Sequence, residues 1–281
     1  MRIAITGATG QLGRALQAAL RGHALLPLAR ADVDVTDLGA VLATIERFQP
    51  EAIIHAAAHT NVDECELKPE LAYRVNALGA RNLAVAAARA GASLVYISTN
   101  YVFDGTAAEP YHEWAPVNPI SVYGASKLAG EAAARELAGG RFYIVRTAWV
   151  YDETGRNFVR TMLRLAREQP QLRVVADQFG QPTYAADLAA AIAALLATPA
   201  YGVYHFTNAG ACSWHEWAVE TLRLAGYAGK PVQPIPAREF PRPARPPANG
   251  VLHNWAGAAL GITLRPWQEA LAECLRAMPA G

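Results

Sequence analysis

Residues 2–13, RIAITGATGQLG, join a five-residue apolar run to a glycine-punctuated turn and the first turn of a helical pattern. RIAIT reads as a strand, and Gly7, Gly10 and Gly13 follow it in a G-x-x-G-x-x-G spacing. Glycines placed there permit a tight turn, close approach of the backbone to a pyrophosphate, and close helix–strand packing. The helix N-terminus adds an affinity for anions. A glycine triplet alone is a weak signal, but strand, turn and helix in succession make a dinucleotide site the expectation. Thr9, Gln11 and Leu12 would then meet the phosphates through backbone or side chain.

Moving outward, short apolar runs alternate with helical patterns. ALLPLA (24–29), AIIHAAA (52–58), SLVYIS (93–98) and RFYIVRTAWVY (141–151) read as strands, each of the first four separated from the next by ten or more residues of helical period. That alternation predicts βαβ units with right-handed crossovers and a parallel sheet covered on both faces. The strands are continuously apolar, as burial on both faces requires. The fold class expected is α/β: a Rossmann doubly wound parallel sheet with a smaller C-terminal α/β substrate-binding part. Residues 1–150 form the NAD(P)-binding domain. Residues 151–281 form mainly the substrate-binding part, with segments at about 177–205 returning to the Rossmann sheet. In this second half LRVVAD and GVYHFT read as strands, and four segments read as helices, beginning NFVRT, YAADL, SWHEW and PWQEA. The proline-rich stretch KPVQPIPAREFPRPARPPAN (230–249) reads either as an extended surface segment or as a rigid loop bordering a cleft.

The 281 residues are 52% apolar and 17% charged with a net charge of +1, a balance that gives no reason to expect nucleic acid or an anionic membrane as partner. Cys65, Cys212 and Cys274 are odd in number and far apart, which offers neither a disulfide framework nor a zinc pattern and fits a reducing cytoplasm. The apolar run of MRIAITGATG is too short for a signal-peptide core or a membrane span. No histidine spacing resembles a metal site, since His55 and His59 straddle a strand end. Among 25 basic residues only Lys68, Lys127 and Lys230 are lysine. Arginine cannot release a proton near neutrality whereas lysine can be tuned, so Lys127 invites a functional reading more than a lysine in an average protein does.

The coenzyme type turns on the end of the second strand, where an acidic residue would bind the ribose 2′-hydroxyl of NAD. Here the strand ends at Arg30, whose guanidinium could accommodate a 2′-phosphate; the alternative is a solvated arginine and a mixed preference. NADPH is the expected cofactor, with NADH possible. Asp34 and Val35 would lie beside the adenine, and Ala56, Ala57 and Ala58 are small enough to let the cofactor cross the sheet edge. Ser98 and Thr99 close the fourth strand at the carboxyl edge, where ligands bind in such sheets. Tyr123 and Lys127, four apart in SVYGASKLAGE, share one helical face. They are either a half-buried surface pair or a proton donor beside the charge that tunes it.

The glycine loop, the Ser98–Thr99 pair and Tyr123-x-x-x-Lys127 together resemble the extended short-chain dehydrogenase/reductase superfamily. The strings GATGQLGRAL, AAAHTNVDECE, STNYVFDG, RTAWVY, NFVRTMLRLA and DQFGQPT are similar to the dTDP-4-dehydrorhamnose reductase family, and SWHEWA and RPPANGVL extend the likeness. The resemblance implies an NAD(P)H-dependent oxidoreductase of nucleotide-sugar and polysaccharide biosynthesis, reducing the 4-keto group of a dTDP-6-deoxy-L-hexose. It implies Tyr123 as general acid, Lys127 on the nicotinamide ribose with its charge lowering the phenol pKa, and Thr99 donating to the carbonyl oxygen. It also implies Asn76 among the cofactor contacts. Tyr101, Phe103 and Trp149 would face the sugar nucleotide, although core packing suits Phe103 equally. Arg242, Arg245 and Asn249 would meet the diphosphate or thymidine, or else form a solvated basic loop. Two departures stand out. Asn100 occupies a position where the family commonly has Asp. Ala15 lies where some members carry an acid for a dimer-bridging metal, so no metal is expected, and the assembly is a monomer or homodimer. Two other readings share these residues: a nucleotide-sugar epimerase or dehydratase, and a non-catalytic NADP-binding subunit resembling the methionine adenosyltransferase beta subunit.

Overall fold

The computed structural model describes residues 1–278. β1 (Arg2–Thr6) leads into α1 (Gln11–Ala19), and β2 (Ala24–Leu28) into α2 (Leu38–Phe48). β3 (Ala52–His55) is followed by α3 (Val62–Leu67) and α4 (Pro69–Tyr73), and a π-helical turn at Arg74–Leu78 joins α4 to α5 (Gly79–Ala90). The continuous helical pattern of the sequence is therefore interrupted here. β4 (Ser93–Thr99), α6 (Val122–Leu137) and β5 (Phe142–Thr147) complete the first half. The second half runs β6 (Val150–Tyr151), α7 (Phe158–Glu168), β7 (Leu172–Val175), β8 (Phe179–Gly180), β9 (Thr183–Tyr184), α8 (Ala185–Leu196) and β10 (Gly202–His205). β11 (Cys212–Ser213), α9 (Trp214–Leu224), β12 (Val232–Ile235), α10 (Ala256–Ala259) and α11 (Trp267–Ala277) follow.

Six strands form one sheet in the order β10-β5-β4-β3-β1-β2, and every neighbouring pair is parallel. Successive side chains on a strand point to opposite faces. Ile3 and Ile5 accordingly pack with Leu16, Leu188 and Ile192 on one side. Ala4 and Ile53 pack with Leu83, Ala84 and Ala134 on the other. The winding direction changes between β1 and β3, and a ligand crevice opens at such a switch point, beyond the carboxyl ends of the strands. Among the described residues no helix is long and apolar enough to cross a membrane.

The run 141–151 does not form one strand. It leaves the sheet after Thr147, turns at Trp149 with φ +46°, and resumes as β6 beside β9. Such a backbone is costly for a bulky residue and needs compensation from its surroundings. Trp149 stacks on Trp214 at 3.7 Å between ring centroids, and its carbonyl accepts from Thr183 N at 3.1 Å. Part of the proline-rich stretch is also more regular than expected. Val232–Ile235 pairs in parallel with β7, which is possible because proline is tolerated where a strand has a free edge.

One polar cluster interrupts the apolar interior beneath α6. Arg146 on β5 donates from Nε and Nη2 to the two carboxylate oxygens of Glu131, each at 2.8 Å, with both side chains buried. Ser98 Oγ on β4 donates to Glu131 Oε1 at 2.6 Å, and Arg135 Nη2 donates to Oε2 at 3.0 Å. Three elements thus meet on one carboxylate. Removing one partner of such a pair leaves an uncompensated buried charge, at a cost of about 3–5 kcal/mol. Glu131→Gln and Arg146→Met are each expected to lose about that much in denaturant unfolding, while Glu131→Met/Arg146→Met loses less than the sum. Strict additivity would contradict the pairing.

Candidate active site

A cleft of about 1010 Å³ opens at the carboxyl ends of β1, β3, β4 and β5. At one end lies the glycine turn. Gly7 has φ +70°, and a Cβ there would stand 2.7 Å from Ala57 N, so no side chain fits. Gly10 caps α1 without any side-chain hydrogen bond to the first turn. The first-turn amides thus keep no intrahelical partner and face a cleft, a ready anion site. A backbone cradle too tight for a Cβ and an open helix N-terminus fit a pyrophosphate well. Gln11, Leu12 and Gly13 line the same end, with Thr9 beside them.

Farther along, Arg30, Asp34 and Val35 line the wall. Asp34 Oδ1 accepts from Thr36 N and Oγ1, both at 2.9 Å, and these bonds hold its carboxyl below the ordinary range, helped by Arg30 and Arg74. The two guanidiniums make this part of the cleft positive. Ala56, Ala57 and Ala58 form a side-chain-poor stretch opposite.

The reactive end gathers Ser98, Thr99, Tyr101, Tyr123, Lys127 and Trp149. The Ser121 side chain accepts from Gly124 N at 3.1 Å and starts α6, while Glu66 from α3 accepts from Val122 N at 2.8 Å. Tyr123 and Lys127 then fall one turn apart on the face turned to the sheet. Burial drives the Tyr123 hydroxyl well above its ordinary pKa, with Thr99 acting in the opposite sense. Burial pushes Lys127 down to about 7, with Glu131 opposing, and its Nζ lies 4.1 Å from the centre of the Tyr96 ring. His55 lies below, Nδ1 at 2.7 Å from Thr6 Oγ1, and burial, with Lys127, pushes it down to about 3.

The expected lowering of the Tyr123 pKa by Lys127 is not seen. Desolvation dominates the phenol, and the same desolvation leaves the lysine only partly charged near neutrality. The phenol is consequently protonated throughout the neutral range.

A family model described as the RmlD substrate binding domain matches residues 1–279. A curated dTDP-4-dehydrorhamnose reductase from Streptomyces griseus is 43% identical over 282 residues, covering 98% of this chain and 93% of the relative. A solved dTDP-4-dehydrorhamnose reductase from Clostridium acetobutylicum superposes with a TM-score of 0.95 at 45% identity, covering 98% and 99% of the two chains. The chain belongs to the dTDP-4-dehydrorhamnose reductase family. A further solved member, from Bacillus anthracis and in complex with NADP, has a TM-score of 0.94 at 42% identity, with 98% of each chain covered.

Against that family background, four expected contacts lie outside the cleft. Asn76 spends its amide on His59 N (2.8 Å), His59 O (3.1 Å) and Ser126 Oγ (3.0 Å), bracing the turn after β3. Phe103 is fully buried and stacks on Tyr111 at 4.2 Å. Asn249 is held by Ala107 O and Val251 N, and Arg245 is exposed on the loop beyond. Arg242, another candidate on that loop, is paired with Asp63 at 2.9 Å. In each case an intramolecular partner or the outer surface claims a side chain that the local string alone could not place.

Sequence reading also passed over Arg74, Trp214, Glu131 and Arg146. Glu131 had a legible signal, lying four residues after Lys127 on the same face of an alanine-rich helix. Arg146 had another, being a lone charge inside an apolar strand.

The buried lysine has a measurable consequence. Its folded pKa lies below the unfolded value, so between about 7 and 10.5 the unfolded chain binds more protons and this site's stability contribution rises with pH. Lys127→Met is therefore expected to melt above the wild type at pH 7, with the gap closing towards pH 10. A wild type that melts higher at pH 7 would contradict the desolvation of Lys127.

Proposed function

We propose that this chain reduces the 4-keto group of a dTDP-6-deoxy-L-hexose, dTDP-4-dehydrorhamnose to dTDP-L-rhamnose, with NADPH preferred. The observation that carries the reading is that Thr99, Tyr123 and Lys127 line the same cleft as the glycine turn. The glycine turn and α1 N-terminus would hold the pyrophosphate, Arg30 the 2′-phosphate, and Lys127 the nicotinamide ribose. When bound, the reduced nicotinamide supplies the hydride.

The chain's own groups do the rest. The Thr99 hydroxyl donates to the carbonyl oxygen and fixes its direction. Tyr123, protonated because burial disfavours its phenolate, gives its proton as alkoxide character develops on that oxygen, since an alkoxide is the stronger base. Tyr101, packed edge-on against Tyr123 at 5.4 Å, restricts the phenol's position. Trp149 offers an apolar face to the sugar nucleotide. Residues 1–150 serve the cofactor and residues 151–281 mainly the substrate, with about 177–205 returning to the sheet. The proposed setting is the cytoplasm, as a monomer or homodimer.

General acid catalysis contributes about 10²–10⁴-fold. Turnover of a dTDP-4-keto-6-deoxy-L-sugar is expected with NADPH and more slowly with NADH at equal concentration. Tyr123→Phe should lower kcat by about 10²-fold or more while NADPH affinity, read by fluorescence titration, changes little. An unaltered kcat in that variant would remove Tyr123 as the acid.

A further inference from the structure

Trp149 lines the cleft from a backbone that a bulky side chain rarely adopts, with φ +46°. A residue in that region persists where its neighbours fix it from more than one side. Two neighbours do so here. The indole of Trp214, which also lines the cleft, stacks on the Trp149 indole at 3.7 Å between centroids and 21° between planes. At the Nε1 edge stands Gly180, where a Cβ would lie 2.6 Å from both Cε2 and Cζ2 of Trp149. The indole is thus covered on a face by a second indole and along an edge by bare backbone.

The two neighbours belong to one small ribbon. β8 and β11 pair antiparallel, with Gly180 opposite Cys212 and Phe179 opposite Ser213. Trp214 comes next and is the first residue of α9. Ser213 Oγ accepts from Glu216 N at 3.1 Å, and Ser213 N donates to Glu216 Oε2 at 2.6 Å. These reciprocal bonds satisfy two otherwise free amides and fix the start of α9, and Trp214 with it. Trp217, fully buried, packs against Trp214 with ring centroids 5.5 Å apart. Trp214 is therefore held from behind, and Trp149 is held by Trp214.

We propose that Trp214 and Gly180 are positioning residues for the sugar nucleotide: they hold the Trp149 indole in the place where its open side meets the substrate. The proposal rests on the reading above that Trp149 faces the sugar nucleotide. An indole fixed before the substrate arrives need not be ordered on binding, and the saving appears as affinity. Trp214 acts through its ring face, so a phenyl ring at 214 keeps much of the effect and an aliphatic side chain does not. Gly180 acts by having no side chain, since a methyl group there displaces the indole edge.

The test reads the Kd for dTDP-L-rhamnose and for NADPH by titration calorimetry. It compares wild type, Trp214→Leu, Trp214→Phe and Gly180→Ala, each with Trp149 intact and with Trp149→Ala. With Trp149 intact, Trp214→Leu and Gly180→Ala should each weaken dTDP-L-rhamnose binding by about 3–10-fold, the scale of one aromatic pair. NADPH affinity should stay near the wild-type value. In the Trp149→Ala background neither substitution should weaken sugar binding further. Residues acting through Trp149 are non-additive in this way, whereas independent damage to the fold adds. Unchanged sugar affinity in Trp214→Leu, or an equal loss with and without Trp149, would overturn the proposal. A second measurement needs no ligand. Trp149→Ala and Trp214→Phe should each lower the exciton couplet of the stacked indoles in circular dichroism, the latter with little loss of sugar affinity. A couplet unchanged in both would overturn the stack. A wild type that binds dTDP-L-rhamnose yet reduces no keto-sugar nucleotide would count against the activity proposed above, and the titrations would still decide the positioning role. One that fails to bind it would overturn that role as well.

Discussion

The carboxylate of Glu131 is the point from which the reactive end of the cleft is hung. It takes two bonds from Arg146 on β5, one from Ser98 on β4 and one from Arg135 on its own helix. Glu131 lies on the same helical face as Tyr123 and Lys127, so the ion pair fixes the rotation and height of that helix over the strand ends. Arg146 also donates to Glu113 O at 3.3 Å, and Glu113 accepts from Trp255 N and Ala256 N at 3.0 Å. The clamp thereby reaches the loop that leads from Asn249 and Gly250 to α10. A buried ion pair adds little net stability over an apolar equivalent. Its use here is geometric, because a bidentate guanidinium–carboxylate pair has one good arrangement.

With the helix held, the site can bear groups that folding alone disfavours. Lys127 sits desolvated over the Tyr96 ring, His55 is kept neutral below it, and Tyr123 is buried with its proton retained. Trp149 adds a left-handed backbone held by aromatic stacking. Each of these costs stability; Tyr123, Lys127 and Trp149 line one cleft, and His55 lies close enough to Lys127 to feel its charge. Concentration of strain and shifted titration at a single place is what a reactive site requires. Elsewhere the molecule follows ordinary packing, with apolar strands covered on both faces.

How far the sequence disclosed this depended on the range of the interaction. The sheet, the glycine turn and the Tyr123/Lys127 pair were legible because each is local: strand periodicity, a turn that needs glycine, one helical step. β10 was legible as an apolar run but not in its place beside β5, which no local pattern encodes. The break at Trp149 was hidden because a left-handed residue leaves no mark in an apolar string. The partners of Asn76, Asn249 and Arg242 were hidden for a related reason. Polar side chains go to the nearest partner, and those partners, His59, Ala107 and Asp63, lie 17 to 179 residues away in sequence. For Tyr123 the largest influence on the phenol is burial, which no motif displays.

The central claim is that the cleft carries hydride to a sugar carbonyl in a net reduction. The direct measurement is turnover with NADPH deuterated at C4 of the nicotinamide, followed by proton and deuterium NMR of the sugar product. The account predicts one deuterium at C4 of the sugar, in a single configuration, with one NADPH oxidised per sugar reduced. Sugar product formed without deuterium and without net NADPH oxidation would contradict it, pointing instead to internal recycling of a bound coenzyme.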